Sequence, residues 1–268
     1  IRDLLAPLQT LKDDIFNVLQ KAHNIFNALE DLPIPTVAAI HGACVGGGCE
    51  LILACDYRLA SDDKSTQIGQ PEIKIGIIPG FGGCYRFPRL VGIQVGLDVI
   101  LAGKNVDAKK ALKIGLIDQL VHVNLLEENA IKTALAAVGK PKKIRRHSPK
   151  TTMDKFIESW VGRKLALSQA KKAVLKQTHG HYPAPLKALD VIGQIYGSSH
   201  RERSLKIEMA GFAETAVTQV SKNLINIFFL TEKIKKQNGV EDASVKPREV
   251  KSIGVLGAGV MGGGVAFV

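Results

Sequence analysis

Two glutamates 22 positions apart, Glu50 and Glu72, each stand beside a glycine or proline turn, and such turns can present an acid to a cleft. Glu50 closes the run Gly42-Ala-Cys-Val-Gly-Gly-Gly-Cys-Glu50, in which three glycines leave backbone N–H groups uncovered. If a helix starts there, its positive end and its free N–H groups make an anion site, and Glu50 lies in its first turn. Glu72 follows Pro71 in Ile68-Gly-Gln-Pro-Glu72, where the proline fixes the backbone ahead of it. Two carboxyls in one poorly hydrated pocket drive their proton affinities apart, so that one gives a proton while the other takes one. That division suits addition of water across a double bond conjugated to a thioester, whose oxygen gains charge that fixed N–H donors stabilise.

Each feature also has a plainer reading. Glu50 can complement a helix N-terminus, Glu72 can be an exposed loop acid, and Gly46 to Gly48 can serve close backbone packing. His41 reads as a strand-end side chain satisfied by a backbone partner. Cys44, Cys49, Cys55 and Cys84 lack the paired short spacing of a zinc site and read as small buried hydrophobes, so no metal is expected.

The elements that must hold these residues follow from periodicity. Between Leu11 and Leu29 the residues Ile15, Val18, Leu19, Ala22, Ile25, Phe26 and Leu29 recur at helical intervals, which predicts an amphipathic helix ended by Pro33 and Pro35. Thr36 to Ile40 reads as a buried strand, and strand, glycine loop, helix is the parse through Glu50. A second strand is expected at Tyr57 to Ala60, then a polar stretch from Ser61 to Gln67, and a glycine-rich turn at Ile78-Pro-Gly-Phe-Gly-Gly83. Val91 to Leu101 reads as a helix ended by Gly103. Asp107 caps another helix through Ile114, with Leu116 to Val123 as a strand after it. From about Leu125 helical patterns dominate. Gln237 to Val250 reads as a linker, and Ser252 to Gly262 as a strand entering G-x-G-x-x-G at Gly257, Gly259 and Gly262.

The 268 residues carry a formal net charge of +11, which suits a polyanionic partner without choosing among CoA, nucleic acid and an anionic surface. Much of the excess lies in Lys140 to Lys150, which reads as a solvated face; no nucleic-acid-binding motif accompanies it, so no nucleic-acid partner is expected. No apolar run has the length of a membrane span. The chain opens on Ile1 without Met and closes at Val268 inside an expected helix, so it reads as a fragment.

In order and spacing, Pro35 to Glu50, Gly69-Gln-Pro-Glu72, Gly76 to Gly83, Gly103 and Ala111 to Asp118 resemble the crotonase (enoyl-CoA hydratase/isomerase) family. Together with Tyr182-Pro-Ala-Pro185, Ile227-Phe-Phe229 and Gly257 to Gly264, the chain resembles the multifunctional alpha subunits of fatty-acid β-oxidation complexes nearly from end to end. The resemblance implies an α/β fold: a crotonase-type ββα spiral lacking its first part (1–135), a helical region and linker (136–249), and the first βα unit of a Rossmann domain (250–268). It implies hydration of trans-2-enoyl-CoA to 3-hydroxyacyl-CoA, with 3-enoyl/2-enoyl isomerisation as an added activity, in a parent chain that also carries an NAD-dependent 3-hydroxyacyl-CoA dehydrogenase. Glu50 is then the base that activates water, Glu72 the acid that protonates the α-carbon, Gly47 an oxyanion donor, and Gly80 a neighbour of the water site. Gly257, Gly259 and Gly262 would hold NAD, while hydration needs no cofactor. Expected partners are an acyl-CoA substrate and either further copies or a thiolase beta subunit, in a bacterial cytoplasm or an organellar matrix. Cys84 departs from the family's common Thr, and the second oxyanion amide would lie ahead of Ile1. Two other readings stay open: a basic RNA-binding relative of the same fold, and a catalytically inert fragment.

Overall fold

The computed structural model describes residues 8–141, 147–237, 249–257 and 259–267. Most of the expected linker and part of the basic run at 140–150 lie outside them. By contact, the chain divides into one unit through Asn226 and a second from Ile227.

The first unit opens with helix α1, Leu8–Glu30, followed by strand β1 (Val37–Ile40), strand β2 (Ala43–Val45) and helix α2 (Gly47–Leu53). The same order repeats with β3 (Tyr57–Ser61), β4 (Gln67–Gly69), a 3-10 turn at Glu72–Ile75 and α3 (Gly83–Val91). Helix α4 (Ile93–Ala102), strand β5 (Asn105–Asp107), α5 (Ala108–Lys113), β6 (Gln119–Val121) and α6 (Leu126–Ala137) complete the αβ part. Helices α7 (Thr152–Glu158), α8 (Trp160–Thr178), α9 (Pro183–Ile195) and α10 (Arg201–Ala216) follow, and α11 (Gln219–Lys236) runs out of the unit.

From β1 to β4 successive strands alternate between two sheets, as in a ββα spiral, before β5 joins β4 and β6 returns to the first sheet. One sheet has the order β1-β3-β6, all parallel; the other has β2-β4 parallel and β4-β5 antiparallel. Between them lies a core that includes Ile40, Ala60, Ile68, Ile78, Phe87 and Ile100, and Ile192 of α9 belongs to the same cluster. Helices beyond residue 135 thus pack on the core of the spiral, and the division there is one of sequence character rather than of contact. Buried Arg58 ties the first sheet to the end of α2: its Nη1 donates to Cys55 O at 2.7 Å and its Nε to Leu116 O at 3.0 Å.

Several expectations need correction. Helix α3 has no counterpart among the expected elements: only its first residue, Gly83, falls in the expected glycine-rich turn, and it contains Pro88; Gly92, at φ 89°, separates it from α4, which therefore starts at Ile93 and not at Val91. Strands β2, β4 and β5 have three residues each, too few for a period-2 pattern to register. Within α1, Val18 and Ile25 of the expected apolar face are exposed, whereas His23 is fully buried. The strand after α5 is only Gln119–Val121. His41 bonds the Ser61 hydroxyl (Nδ1 to Oγ, 3.0 Å) rather than a backbone group. Of the four free thiols, Cys49 and Cys84 are buried and Cys44 and Cys55 half-buried.

In the second unit, residues 251–257 form no strand, since an extended segment becomes a strand only through a pairing neighbour and none is described. Helix α12, Val260–Phe267, follows the glycine turn. Among the described residues no helix is long and apolar enough to cross a membrane.

Candidate active site

Sheet register explains how residues 50 and 72 meet. Strands β2 and β4 run parallel with Val45 opposite Gly69, so the segments leaving them emerge at the same end of the sheet. One segment becomes α2 and carries Glu50; the other becomes the 3-10 turn and carries Glu72 at its first position. Gly46 N–H donates to Gly69 O at 3.0 Å, which ties the two exits together. The turn is gripped from behind, as Tyr182 Oη donates to Ile73 O at 2.8 Å and Ser221 Oγ to Ile75 O at 3.2 Å.

Glu50 is 2 % exposed, and its Oε1 accepts from the N–H groups of both Phe81 and Gly83 at 2.7 Å. Burial raises its carboxyl to about 7 against the pull of those two amides, the charge of Arg86 and the amide of Gly80. Glu72, 9 % exposed, is raised to about 8, by burial first and by the charge of Glu50 second. Fully buried Gln70 stands between the two. With its amide nitrogen turned toward Glu72 it donates to both carboxyl oxygens, at 2.9 and 3.1 Å. A methyl group placed on Gly83 would stand 2.9 Å from Glu50 Oε1 and equally far from the Gln70 side-chain amide, and one on Gly46 would stand 3.3 Å from Glu72 Oε1. Both acids are therefore buried beside the start of α2, near enough for the charge of Glu50 to raise Glu72.

Gly47, the first residue of α2, lies where no intrahelical acceptor reaches its N–H, and a side chain there would meet the Phe81 ring at 3.5 Å. Gly80 turns its carbonyl to His23, whose Nε2 donates at 2.8 Å, and its α-carbon to the Phe212 ring. The four spiral residues singled out in the sequence thus lie in one region. Gly257, Gly259 and Gly262 belong to the second unit. There Gly257 has φ 100°, and a side chain on Gly262 would fall on the Gly257 carbonyl oxygen, so this turn needs glycine at both ends.

Sequence reasoning passed over three buried polar groups. His23 was one of several polar residues on a helix read by its apolar ones. Gln70 lay inside a motif read for its proline and acid. Glu208 left a legible signal: it shares the i, i+3, i+4, i+7 stripe of α10 with Leu205, Met209 and Phe212, and an acid on an apolar stripe calls for a partner. Its partners are the Gly82 and Tyr85 N–H groups, which donate to Oε1 at 2.5 Å and to Oε2 at 2.8 Å.

Comparison with known proteins places the chain in a family. Residues 9–181 match the family described as enoyl-CoA hydratase/isomerase. Over 250 residues, 93% of the chain, it is 45% identical to a fatty acid oxidation complex subunit alpha of Shewanella baltica, of which it covers 34%. Over 258 residues, 96% of the chain, it is 44% identical to a protein of the same description from Shewanella loihica, of which it covers 35%. The chain thus spans about a third of the length of these curated relatives. A solved Streptomyces avermitilis structure described as an enoyl-CoA hydratase aligns with a TM-score of 0.53 at 23% identity, over 82% of this chain and 63% of that one, and bears on the fold alone.

Proposed function

The chain belongs to the enoyl-CoA hydratase/isomerase family, and from that premise we propose that it supplies the hydratase site of a fatty-acid β-oxidation enzyme, adding water to trans-2-enoyl-CoA to give 3-hydroxyacyl-CoA. One observation carries the reading: Glu50 and Glu72 are both buried beside the glycine start of α2, with proton affinities raised to about 7 and about 8 and the charge of Glu50 acting on Glu72. Ionised Glu50 takes a proton from water as the water oxygen bonds to C3. The C2–C3 π electrons move toward the thioester, whose carbonyl oxygen gains charge that the Gly47 N–H stabilises. Protonated Glu72 then delivers its proton to C2, and the two glutamates exchange protons before the next turnover. The same Glu72, moving a proton between C4 and C2, would carry 3-enoyl to 2-enoyl isomerisation.

The second unit supports a further reading, the opening of a dinucleotide-binding domain. Gly257, Gly259 and Gly262 would let NAD approach the backbone at the start of α12. Bound there, NAD supplies a hydride acceptor for oxidising the 3-hydroxyl group. On the analogy of the relatives' description, the parent chain works in a complex, for which a thiolase beta subunit or further copies are the proposed partners and the bacterial cytoplasm the proposed setting.

Hydration of crotonyl-CoA by the full-length protein, followed as loss of the conjugated enoyl thioester with thiol release measured in parallel, tests the reading. Glu50→Gln and Glu72→Gln should each lower hydration by about 10²- to 10⁴-fold with the fold intact. Thiol release without hydration, or near-normal hydration by either variant, overturns it.

A further inference from the structure

Consecutive amides of one turn are divided between two acids. Phe81 N–H and Gly83 N–H point to Glu50, which is on α2, whereas Gly82 N–H and Tyr85 N–H point to Glu208, which is on α10. Gly82 makes the alternation feasible with φ 107°, a conformation side-chain-bearing residues rarely adopt. No side chain of the turn caps α3, so two carboxylates arriving from 33 residues before and 123 residues after share that duty.

We propose that Glu208 is a positioning residue for hydration: by holding Gly82 and Tyr85 it fixes the Gly80–Tyr85 turn so that Phe81 and Gly83 orient the Glu50 carboxylate toward water. The inference rests on the proposed hydratase reading and deepens it. Glu208 is fully buried and spends both oxygens on backbone amides, so it acts on Glu50 through the turn and not on substrate. Phe212, one helical turn along α10, presses on the α-carbon of Gly80 at the other end of the segment. The α10 stripe therefore clamps the turn at two points, while His23 holds the Gly80 carbonyl from α1.

Acceptor count and shape make the role specific. A glutamine at 208 keeps the volume but offers one acceptor oxygen, and its NH2 group would confront a backbone N–H, donor against donor. The turn must then shift or leave an amide unpaired, and Glu50 shifts with it. An aspartate keeps two acceptors but retracts them by one methylene.

The test is steady-state hydration of crotonyl-CoA by the full-length protein, with thermal unfolding of each variant. Glu208→Gln should lower kcat by about 10²-fold, the scale of a misplacement near 1 Å, with KM within about twofold of wild type. Glu208→Asp should recover part of the loss, and is the variant on which kcat and KM are read if Glu208→Gln gives no cooperative unfolding. A wild-type kcat, or a loss expressed as raised KM with kcat kept, overturns the inference. Its failure is separable from failure of the hydratase reading, because that reading falls only if wild type does not hydrate or if Glu50→Gln or Glu72→Gln still does.

Discussion

His23, midway along α1, donates its Nε2–H to the carbonyl oxygen of Gly80, 57 residues away, at 2.8 Å. The bond fixes the ring's tautomer, because a carbonyl can only accept. It also joins the helix that opens the described chain to the turn that surrounds Glu50, so the first helix is part of the site's support.

That ring should give a measurable pH dependence of stability. Burial lowers its proton affinity from 6.5 to about 4, with Arg86 adding to the effect and the Gly80 carbonyl opposing it. A depressed value means that the unfolded chain takes up the proton first. The ring's contribution is complete above about 6.5 and is lost as pH falls toward 4, on the order of 3 kcal/mol in all. Urea unfolding of wild type and His23→Gln at pH 7 and pH 4.5 checks this: wild type should lose more of its stability than the variant across that interval. Equal losses would mean that the ring titrates at an ordinary value.

Hydration should have a bell-shaped pH profile. The mechanism needs Glu50 ionised and Glu72 protonated, and their affinities near 7 and 8 make that form most abundant between those values. kcat/KM should therefore fall below about pH 7 as Glu50 gains a proton and above about pH 8 as Glu72 loses one. Both limbs are macroscopic values of the pair. A profile level from pH 6 to 9 would contradict the assignment.

The same two carboxyls should make the native state weaker at alkaline pH. Glu72 has a folded value near 8 against an ordinary one of 4.5, so its contribution is complete below 4.5 and is lost as pH rises through 8. Removing the charge removes that loss. Between pH 5 and pH 8, wild type should lose on the order of 3 kcal/mol more than Glu72→Gln, leaving the impaired variant the more stable protein at pH 8. Guanidinium unfolding at the two pH values measures it; parallel behaviour of the two proteins would place Glu72 in solvent.

The local runs that meet beside α2 were legible in the sequence, and their long-range support was not. Gly46 to Glu50 and Gln70 to Glu72 lie in short runs whose residue types carry their own meaning, and Asp107 announced itself as a cap that the structure shows accepting from Lys110 N–H at 2.8 Å. The pairing of β2 with β4, which brings those runs together, rests on three residues per strand and leaves no periodic trace. Glu208 and His23 serve a turn 126 and 57 residues distant, so no window of sequence contains both the group and its purpose. Helix α3 was hidden because its cap residues are supplied by other helices.

The three glycines before Cys49 look alike in sequence and should behave differently when replaced. At Gly46 φ is 58° and a methyl group would stand 3.3 Å from Glu72 Oε1, so Gly46→Ala meets both backbone strain and a displaced acid. It should cost about 1 kcal/mol or more in stability and lower hydration strongly. A methyl on Gly47 would meet the Phe81 ring at 3.5 Å, ordinary contact that nonetheless fills space beside the N–H assigned to the thioester oxygen; Gly47→Ala should keep stability while impairing turnover. Gly48 has only the Cys44 sulfur at 4.0 Å and sits inside α2, where alanine is favoured over glycine by roughly 0.5 to 1 kcal/mol. Gly48→Ala should therefore raise the unfolding temperature. Unfolding curves and crotonyl-CoA hydration on the three variants decide the matter, and the order Gly46, Gly47, Gly48 in decreasing damage is what the geometry demands, because a methyl group would meet Glu72 at the first, the Phe81 ring at the second and only the Cys44 sulfur at the third.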